Sequence, residues 1–289
     1  MVKRRRKNRK LIFICIGLII LIGLCVLPFA ALNDDLTATE YEVELEGLPS
    51  GLDGCRVLLI ADLHCARFGP AQEELIAAVK SAEPDLTVLC GDILDSRIND
   101  TEPIEELLQG ICPSPVFAIY GNHENGVSYF DRADLADLYE SYGVVLLEDS
   151  SATFTFNGED ILVTGMADPA FWGKGDTEFV AQNPPDVSPA EDAFNLLLCH
   201  RANLYPAVSG MGFDLVLSGH LHGGQVRIPL LGGLISPTME LFPDYTCGVY
   251  RENGSVLVVS RGLGNSVDVP RVFNRPELVT VILRSPDNT

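Results

Sequence analysis

Five short polar motifs each follow a run of apolar residues, and together they contain every histidine of the chain. The histidines are His64, His123, His200, His220 and His222. In chain order the motifs are Asp62-Leu63-His64, Gly91-Asp92, Gly121-Asn122-His123-Glu124, His200 and Gly219-His220-Leu221-His222. Carboxylate, amide and imidazole groups together suit borderline divalent ions such as Mn, Fe or Zn rather than Ca or Cu(I). These residue types therefore predict a metal site.

The spacing within the motifs supports the same chemistry. Asp-x-His and His-x-His place two side chains on the same side of an extended segment, so each pair can bind one ion. A bridging carboxylate would hold two ions about 3.5–4 Å apart, which generates a hydroxide nucleophile and neutralises phosphoryl oxygens. Any single histidine would more commonly be an ordinary core or surface residue. The joint occurrence of five with Asp62, Asp92 and Asn122 favours the metal site.

The apolar runs before the motifs are predicted strands, and helical patterns separate the first three. The strands are predicted at Arg56–Ala61, Leu86–Cys90, Val116–Tyr120, Phe194–Cys199 and Leu215–Ser218, and the helices at Pro70–Ala82, Thr101–Gly110 and Ser128–Tyr142. Alternating strands and helices predict a parallel sheet with right-handed crossovers. Because the carboxyl ends of such strands meet in one crevice, we expect the polar motifs to converge there.

The second half of the chain is richer in strands. Asn157-Gly158 between two apolar segments is a strong hairpin signal. Residues 167–193 are rich in Pro, Gly and acidic residues and are predicted to form a surface excursion. Short strands then follow to Leu278–Leu283. We expect two mixed sheets that share one core, in a single domain over residues 55–289, rather than two separate domains.

These motifs resemble those of the calcineurin-like metallophosphoesterase superfamily, whose pattern is D-x-H, G-D, G-N-H-[D/E], H and G-H-x-H. The resemblance extends from Tyr41 to Leu283. His222–Gln225, Ser260–Gly264 and Arg275–Leu278 are similar to a membrane-anchored bacterial branch related to UDP-diacylglucosamine pyrophosphohydrolases. The fold that the resemblance implies is an α/β four-layer α/β/β/α sandwich with two mixed β-sheets.

The resemblance also implies a role for each motif residue. The first ion would be held by Asp62, His64 and His222, and Asp92 would bridge the two ions. Asn122, His200 and His220 would complete the second ion's ligands. His123 would lie near the phosphate, stabilising charge or protonating the leaving oxygen. Glu124 stands where many members have Asp, and its carboxylate is a candidate for orienting His123.

Other residues near the motifs carry weaker predictions. Arg201 and Arg261, together with Arg67, are candidates for contacting substrate phosphate, with a surface ion pair as the equal alternative. Cys65 is a minor candidate for an accessory ligand. The apolar segments Phe171-Trp172 and Ile228–Phe242 would lie against lipid or, as we favour, pack in the ordinary way.

The N-terminus predicts attachment to a membrane. Residues 1–10 form a basic tail with seven Lys and Arg, and residues 11–32 are an uncharged apolar segment long enough to span a bilayer. We favour an uncleaved single-pass anchor over a signal peptide, a lipoprotein or a core helix. The basic tail places the N-terminus in the cytoplasm and the catalytic domain outside, with residues 33–54 as linker and first-strand region.

The charge of the remaining chain excludes one class of partner. Outside the tail, 13 basic residues face 40 acidic ones, a net charge of about −27. Such a surface repels nucleic acid, so we expect none as a partner. The eight cysteines do not form the spacing of a disulfide framework.

The predicted function is hydrolysis of phosphodiester or pyrophosphate bonds by metal-bound hydroxide, on a lipid- or nucleotide-linked substrate. A phosphomonoesterase with the same site is the alternative within the enzyme class. A catalytically inactive phosphate-binding scaffold is the alternative outside it.

Overall fold

The computed structural model describes residues 28–112, 114–126, 132–169 and 177–286. The strands are β1 (Thr37–Glu44), β2 (Arg56–Ile60), β3 (Leu86–Cys90), β4 (Val116–Ile119), β5 (Val145–Leu146), β6 (Ser150–Phe156), β7 (Glu159–Gly165), β8 (Phe194–Arg201), β9 (Leu215–Gly219), β10 (Val226–Ile228), β11 (Gly232–Ile235), β12 (Gly248–Glu252), β13 (Ser255–Val259) and β14 (Glu277–Arg284). The helices are α1 (Glu73–Ser81), α2 (Glu102–Ile111), α3 (Asn122–Gly126), α4 (Arg132–Ser141), α5 (Thr177–Gln182) and α6 (Tyr205–Val208).

Two six-stranded mixed sheets form the centre of the fold. The first has the order β1-β14-β2-β3-β4-β5, with β2 to β5 parallel and β14 antiparallel to β2. The second has the order β12-β13-β9-β8-β7-β6, in which β13, β9, β8 and β7 are parallel. β10 and β11 form a separate two-stranded hairpin.

The side-chain alternation of the strands builds four layers. Val57 and Leu59 of β2 belong to the core between the sheets, where they meet residues such as Leu196 of β8. Leu58 and Ile60 point the other way and belong to the core beneath helices α1, α2 and α4. The outer face of the second sheet is covered in the same manner by α5 and α6. The predicted α/β/β/α sandwich with two mixed sheets is confirmed.

The strands that precede the polar motifs are confirmed, with one difference at His200. β8 continues through His200 to Arg201, and its register with β9 shifts between Leu198 and Arg201. An irregularity of this kind turns a side chain away from the regular alternation of the strand. His200 is therefore held within a strand rather than after its end.

The first predicted helix begins later than expected. Pro70–Gln72 is a short 3-10 segment, and Ala71 and Gln72 have left-handed backbone angles. The side chain of Gln72 is fully buried, accepts the N–H of Phe68 and donates to the carbonyl of Ala66. These contacts fold the chain back before α1 starts at Glu73. The predicted start of the third helix, Ser128, lies outside the described residues.

The apolar segment Ile228–Phe242 does not pack in the ordinary way, so our favoured prediction for it is wrong. Six of its large apolar side chains are exposed, namely Ile228, Leu230, Leu231, Met239, Leu241 and Phe242. The hairpin β10–β11 belongs to neither large sheet, and its tip residues Leu230 and Leu231 are exposed among the described residues. Phe171 and Trp172 lie outside the described residues.

Most of the predicted anchor also lies outside the described residues. Residues 28–31 are helical, and the chain then runs into β1 at the edge of the first sheet. Within the described ranges, no helix has both the length and the apolar composition needed to cross a bilayer.

Candidate metal centre

The structure brings the seven predicted ligands together between the carboxyl ends of the two sheets. Asp62 and His64 follow β2, Asp92 follows β3, and Asn122 begins α3 after β4. The second sheet contributes the remaining three, which are His200 in β8 and His220 and His222 after β9. The side chains of Asp62, His64, Asp92, His200 and His222 are all 2% exposed or less.

One group of ligand atoms comes from Asp62, His64 and His222. Their carboxylate oxygen and ring nitrogens all lie within 4.8 Å of one another. The Nε2 atoms of His64 and His222 are 3.1 Å apart, and His222 Nε2 is 3.6 Å from Asp62 Oδ1. Backbone N–H of His220 donates to Asp62 at 3.0 Å and fixes the orientation of this carboxylate.

A second group comes from Asp92, His200 and His220, again within 4.8 Å. Asp92 Oδ2 is 3.2 Å from His200 Nε2 and 3.7 Å from His64 Nε2, so the carboxylate lies between the two groups. Asn122 Oδ1 is 3.3 Å from His200 Nε2. His200 Nδ1 is 2.9 Å from the Cys90 carbonyl, a contact that directs Nε2 toward the cluster.

Burial keeps three of the histidines neutral. It lowers the pKa of His64 to about 3 and holds the pKa values of His220 and His222 well below the usual value. At His200, burial also acts to lower the pKa, but the Asp92 carboxylate outweighs it and raises the pKa to about 10. At Asp92, burial acts to raise the pKa, but His200, His64 and His123 together outweigh it and hold that pKa well below its ordinary range.

This donor set fits divalent cations. Two carboxylates, an amide oxygen and four imidazoles converge, and neutral imidazole presents a lone pair to an ion. The Nε2 atoms of His64 and His222 face each other at 3.1 Å, an arrangement that a cation between them would stabilise. The Asp92 carboxylate lies between the two groups, as a two-ion site requires.

Five of the seven residues have left-handed backbone angles, namely Asp62, His64, Asp92, His220 and His222. Each such conformation costs a non-glycine residue on the order of 1–3 kcal/mol, and such residues cluster at functional sites. The strain is thus concentrated at the candidate ligands.

We expect metal binding to strengthen as pH rises through neutrality. Burial raises the pKa of Asp62 to about 7, and the proton on His200 must also leave before its nitrogen can bind an ion. The folded, metal-free site therefore holds protons that an ion displaces. As the pH is lowered, the metal affinity should fall about tenfold per pH unit for each proton released. Calorimetric titration with Mn²⁺ in buffers of different ionisation heat measures that release. Identical heats in all buffers would contradict this prediction.

Gly219 leaves space that the Asp62 carboxylate needs. A Cβ at position 219 would lie 2.5 Å from Asp62 Oδ2 and 2.7 Å from Ala61 Cβ. We expect Gly219→Ala to lower metal affinity and turnover by about 10- to 100-fold, the usual effect of disturbing a ligand's support. Gly210→Ala is the matched control, because its Cβ would meet no atom within 4 Å. Equal metal content and turnover in both variants would contradict the prediction.

Asp95 is the carboxylate beside His123, and the sequence analysis missed it. Its Oδ1 is 3.6 Å from His123 Nδ1, and its Oδ2 is 3.6 Å from His64 Nδ1. Ser96 also contacts His123, with its backbone N 3.3 Å and its Oγ 3.2 Å from Nδ1. The sequence signal that could have indicated Asp95 is its position three residues after the candidate ligand Asp92.

Glu124 contacts backbone amides instead of orienting His123, which corrects our prediction. Its buried carboxylate accepts the N–H groups of Asp92, Leu94 and Gly121 at 2.7–2.9 Å. It thereby joins the loops after β3 and β4, which carry Asp92 and Asn122. Burial raises the pKa of Glu124 to about 7.

The three arginine candidates are held in ion pairs. Arg201 pairs with Asp168 at 2.8 Å, Arg261 with Glu277 at 3.0 Å, and Arg67 with three carboxylates on α2 and the loop before it. These contacts favour the ion-pair interpretation over phosphate binding. The thiol of Cys65 belongs to neither ligand group, and burial raises its pKa to about 11.

Arg271 is a buried cation that no sequence signal indicated. Its guanidinium donates to the carbonyls of Arg261 and Gly264, and Nη2 lies 3.2 Å from His222 Nδ1. Burial lowers the pKa of Arg271 to about 10. The Arg271 side chain therefore links the loop after β13 to His222, the last candidate ligand along the chain.

The chain is similar to known proteins in sequence and, more distantly, in structure. YkuE, an uncharacterized metallophosphoesterase of Bacillus subtilis (strain 168), is 26% identical over 255 residues, which are 86% of each chain. Phosphodiesterase YaeI of Escherichia coli (strain K12) is 28% identical over 232 residues, 79% of this chain and 82% of that one. A dimetal phosphatase structure from Danio rerio aligns with a TM-score of 0.46 at 13% identity, covering 80% of this chain and 93% of that one.

The family model for calcineurin-like phosphoesterases matches residues 55–224, more than half of the chain. This range contains all seven candidate ligands and His123. The chain therefore belongs to the calcineurin-like phosphoesterase family.

Proposed function

We propose that this metallophosphoesterase hydrolyses phosphodiester or pyrophosphate bonds of a lipid- or nucleotide-linked substrate at the outer face of a membrane. The observation that carries the reaction is the position of Asp92. Its Oδ2 lies within 3.7 Å of both His64 Nε2 and His200 Nε2. One carboxylate oxygen shared by two ligand groups is what a two-metal phosphoryl-transfer site needs.

The proposed ligands are the six residues of the two groups together with Asn122, as the family resemblance implies. Bound there, two divalent ions of the Mn, Fe or Zn class would activate water and neutralise the phosphoryl oxygens. The chain itself sets the position of His123. Asp92 Oδ1 accepts the backbone N–H of His123 at 2.8 Å, so the bridging carboxylate and His123 keep a fixed relation.

His123 is proposed to act on the leaving oxygen. Its side chain is 16% exposed, so it can reach a substrate that buried His64 cannot. To donate a proton the ring must be in its imidazolium form, which carries a proton on each nitrogen, and Nδ1 then faces the Asp95 carboxylate at 3.6 Å. Nε2 is therefore the atom that we assign to donate a proton.

The membrane location and the substrate class rest on separate support. The apolar segment 11–32 follows seven basic residues, a pattern typical of an anchor with a cytoplasmic N-terminus. A site held at the outer face meets lipid- and nucleotide-linked phosphates, as in the anchored branch that the sequence resembles. The diester preference is supported by the similarity to phosphodiesterase YaeI.

A substrate comparison tests the proposed reaction. We expect the purified full chain with Mn²⁺ to cleave bis(4-nitrophenyl) phosphate with a kcat/KM at least about tenfold above that for 4-nitrophenyl phosphate. A preference for the monoester would instead establish a phosphomonoesterase with the same site. A chain that holds less than one ion and cleaves neither compound would be a phosphate-binding scaffold.

A further inference from the structure

An exposed apolar surface lies directly beside the metal centre. It comprises the large side chains of the hairpin β10–β11 and the segment after it, and we call it the hairpin surface; its members are Ile228, Leu230, Leu231, Met239, Leu241 and Phe242. They are half of the twelve large apolar side chains that are exposed among the described residues. Leu230 is fully exposed and Leu231 is 76% exposed. Exposed large apolar side chains concentrated in one short segment, rather than scattered singly, indicate contact with a protein or a membrane.

The N-terminal segment meets this surface. Ala30 lines the same cavity, of about 590 Å³, as Leu230 and Leu231. The backbone N–H of Phe273, another lining residue, donates to the Ala31 carbonyl at 2.6 Å. Phe29 is itself 82% exposed. The chain that leaves this point toward the N-terminus is the apolar segment that we propose as the anchor, so the hairpin surface lies where the bilayer would be.

The charges around the surface select an anionic bilayer. Arg227, Arg261 and Arg275 all line the cavity between the hairpin and the N-terminal segment. Arg261 is engaged by Glu277, so the two cations available to lipid phosphates are Arg227 and Arg275, the latter 3.9 Å from exposed Asp35. Between residues 228 and 242, Glu240 is the single charged side chain. Apolar side chains flanked by arginines are the composition that inserts into the interface of an anionic membrane.

The hairpin is joined firmly to the metal ligands. Arg227 Nη1 donates to the Gly223 carbonyl at 2.5 Å, one residue from His222. Asn274 Nδ2 donates to the carbonyls of His222 and Gln225 at 2.6 and 3.1 Å. A bilayer that fixes the hairpin therefore also fixes the orientation of the metal centre relative to the lipid headgroups.

We propose that the hairpin surface docks into an anionic phospholipid bilayer and holds the metal centre against it. The inference rests on the membrane location given under the proposed function, and it adds a second contact to the anchor. Docking would present the site to phosphates that remain embedded in the membrane. A second copy of this chain is the other occupant to be distinguished by experiment.

Fluorescence quenching by brominated lipids tests the docking directly. The full chain is placed in nanodiscs of brominated phosphatidylcholine and phosphatidylglycerol, with Trp172, the single tryptophan, changed to Phe. Leu230→Trp then reports on the hairpin, and Val145→Trp on the far edge of the first sheet is the matched exposed control. Because docked side chains reach about 5–10 Å into the interface, we expect strong quenching at position 230 and none at 145.

The proposal would be overturned if the fluorescence of the tryptophan at position 230 were the same in brominated and in ordinary lipids, as is expected at position 145. An emission shift at position 230 without quenching would identify a second copy of the chain as the occupant, and would overturn it as well. Hydrolysis of bis(4-nitrophenyl) phosphate is measured on the same samples. If quenching is present but hydrolysis is absent, the docking stands and the proposed reaction fails. If hydrolysis is present but quenching is absent, the proposed reaction stands and the docking fails.

A functional variant gives an independent test. Leu230→Asp with Leu231→Asp places two charges at the exposed tip, where the fold does not depend on them. We expect turnover of a phosphodiester lipid in the nanodisc to fall about tenfold or more, with hydrolysis of soluble bis(4-nitrophenyl) phosphate unchanged. An equal rate on the membrane substrate would count against docking.

Discussion

Asp92→Asn should abolish hydrolysis by this protein while the fold remains intact. The Asp92 carboxylate faces His64 and His200 with Oδ2 and accepts the His123 N–H with Oδ1. An amide has the same shape but only one acceptor oxygen, and it removes the negative charge that two ions would share. We expect turnover to fall at least about 10³-fold, because disturbing outer-shell residues alone usually costs 10–100-fold.

Metal analysis of the same variant identifies the cause. Asp92→Asn should retain fewer ions per chain than the unmodified protein, with a similar circular dichroism spectrum. Asp186→Asn is the matched control, since Asp186 is exposed and far in the sequence from every ligand. Full activity of Asp92→Asn with two ions bound would show that the carboxylate does not bridge.

The convergence of the candidate ligands could be predicted because the position of each depends on a short-range pattern. An apolar strand such as Leu86–Cys90 is recognisable from its own residues, and the parallel arrangement brings the residue after it to the common edge. Asp92 and His222 are far apart in sequence, yet both positions follow from that rule. This rule does not predict the full order of the strands in each sheet. The irregularity that holds His200 inside β8 also has no sequence signature.

The supporting residues depend on contacts between loops, which the sequence does not specify. The family pattern favours Glu124 as the partner of His123, because Glu124 stands where many members have Asp, but its carboxylate reaches across to the loop that carries Asp92. Asp95 takes the place beside His123 because α3 packs against that loop. Arg271 reaches His222 from 49 residues further along the chain. Each role arises from tertiary packing and not from local spacing.

The hairpin surface shows a different limit of sequence analysis. Apolar residues such as Leu230 and Leu231 predict burial, because most large apolar residues are buried in a globular protein. Pro229 and Gly232 instead lie in the turn of a two-stranded hairpin that is separate from both large sheets in the described part of the chain. Composition alone therefore gives the apolar character of this segment but not whether protein, water or lipid surrounds it.

His123→Asn should slow hydrolysis by an amount that depends on the leaving group. The partly exposed ring of His123 would donate its proton from Nε2 in the imidazolium form, since Nδ1 faces the Asp95 carboxylate. Phenolate, with a pKa of about 10, needs that proton as it leaves, whereas 4-nitrophenolate is stable without it. We expect turnover of diphenyl phosphate to fall about 10²–10³-fold and that of bis(4-nitrophenyl) phosphate about tenfold or less.

The size of the difference between the two substrates distinguishes two roles of His123. An equal loss for both would mean that the ring stabilises charge on the phosphoryl oxygens and transfers no proton. The metal content of His123→Asn should equal that of the unmodified protein, because His123 contributes to neither of the groups around Asp62 and Asp92. A loss of ions would place His123 among the ligands instead, a role that its 4.5 Å ring contact with His64 makes geometrically accessible.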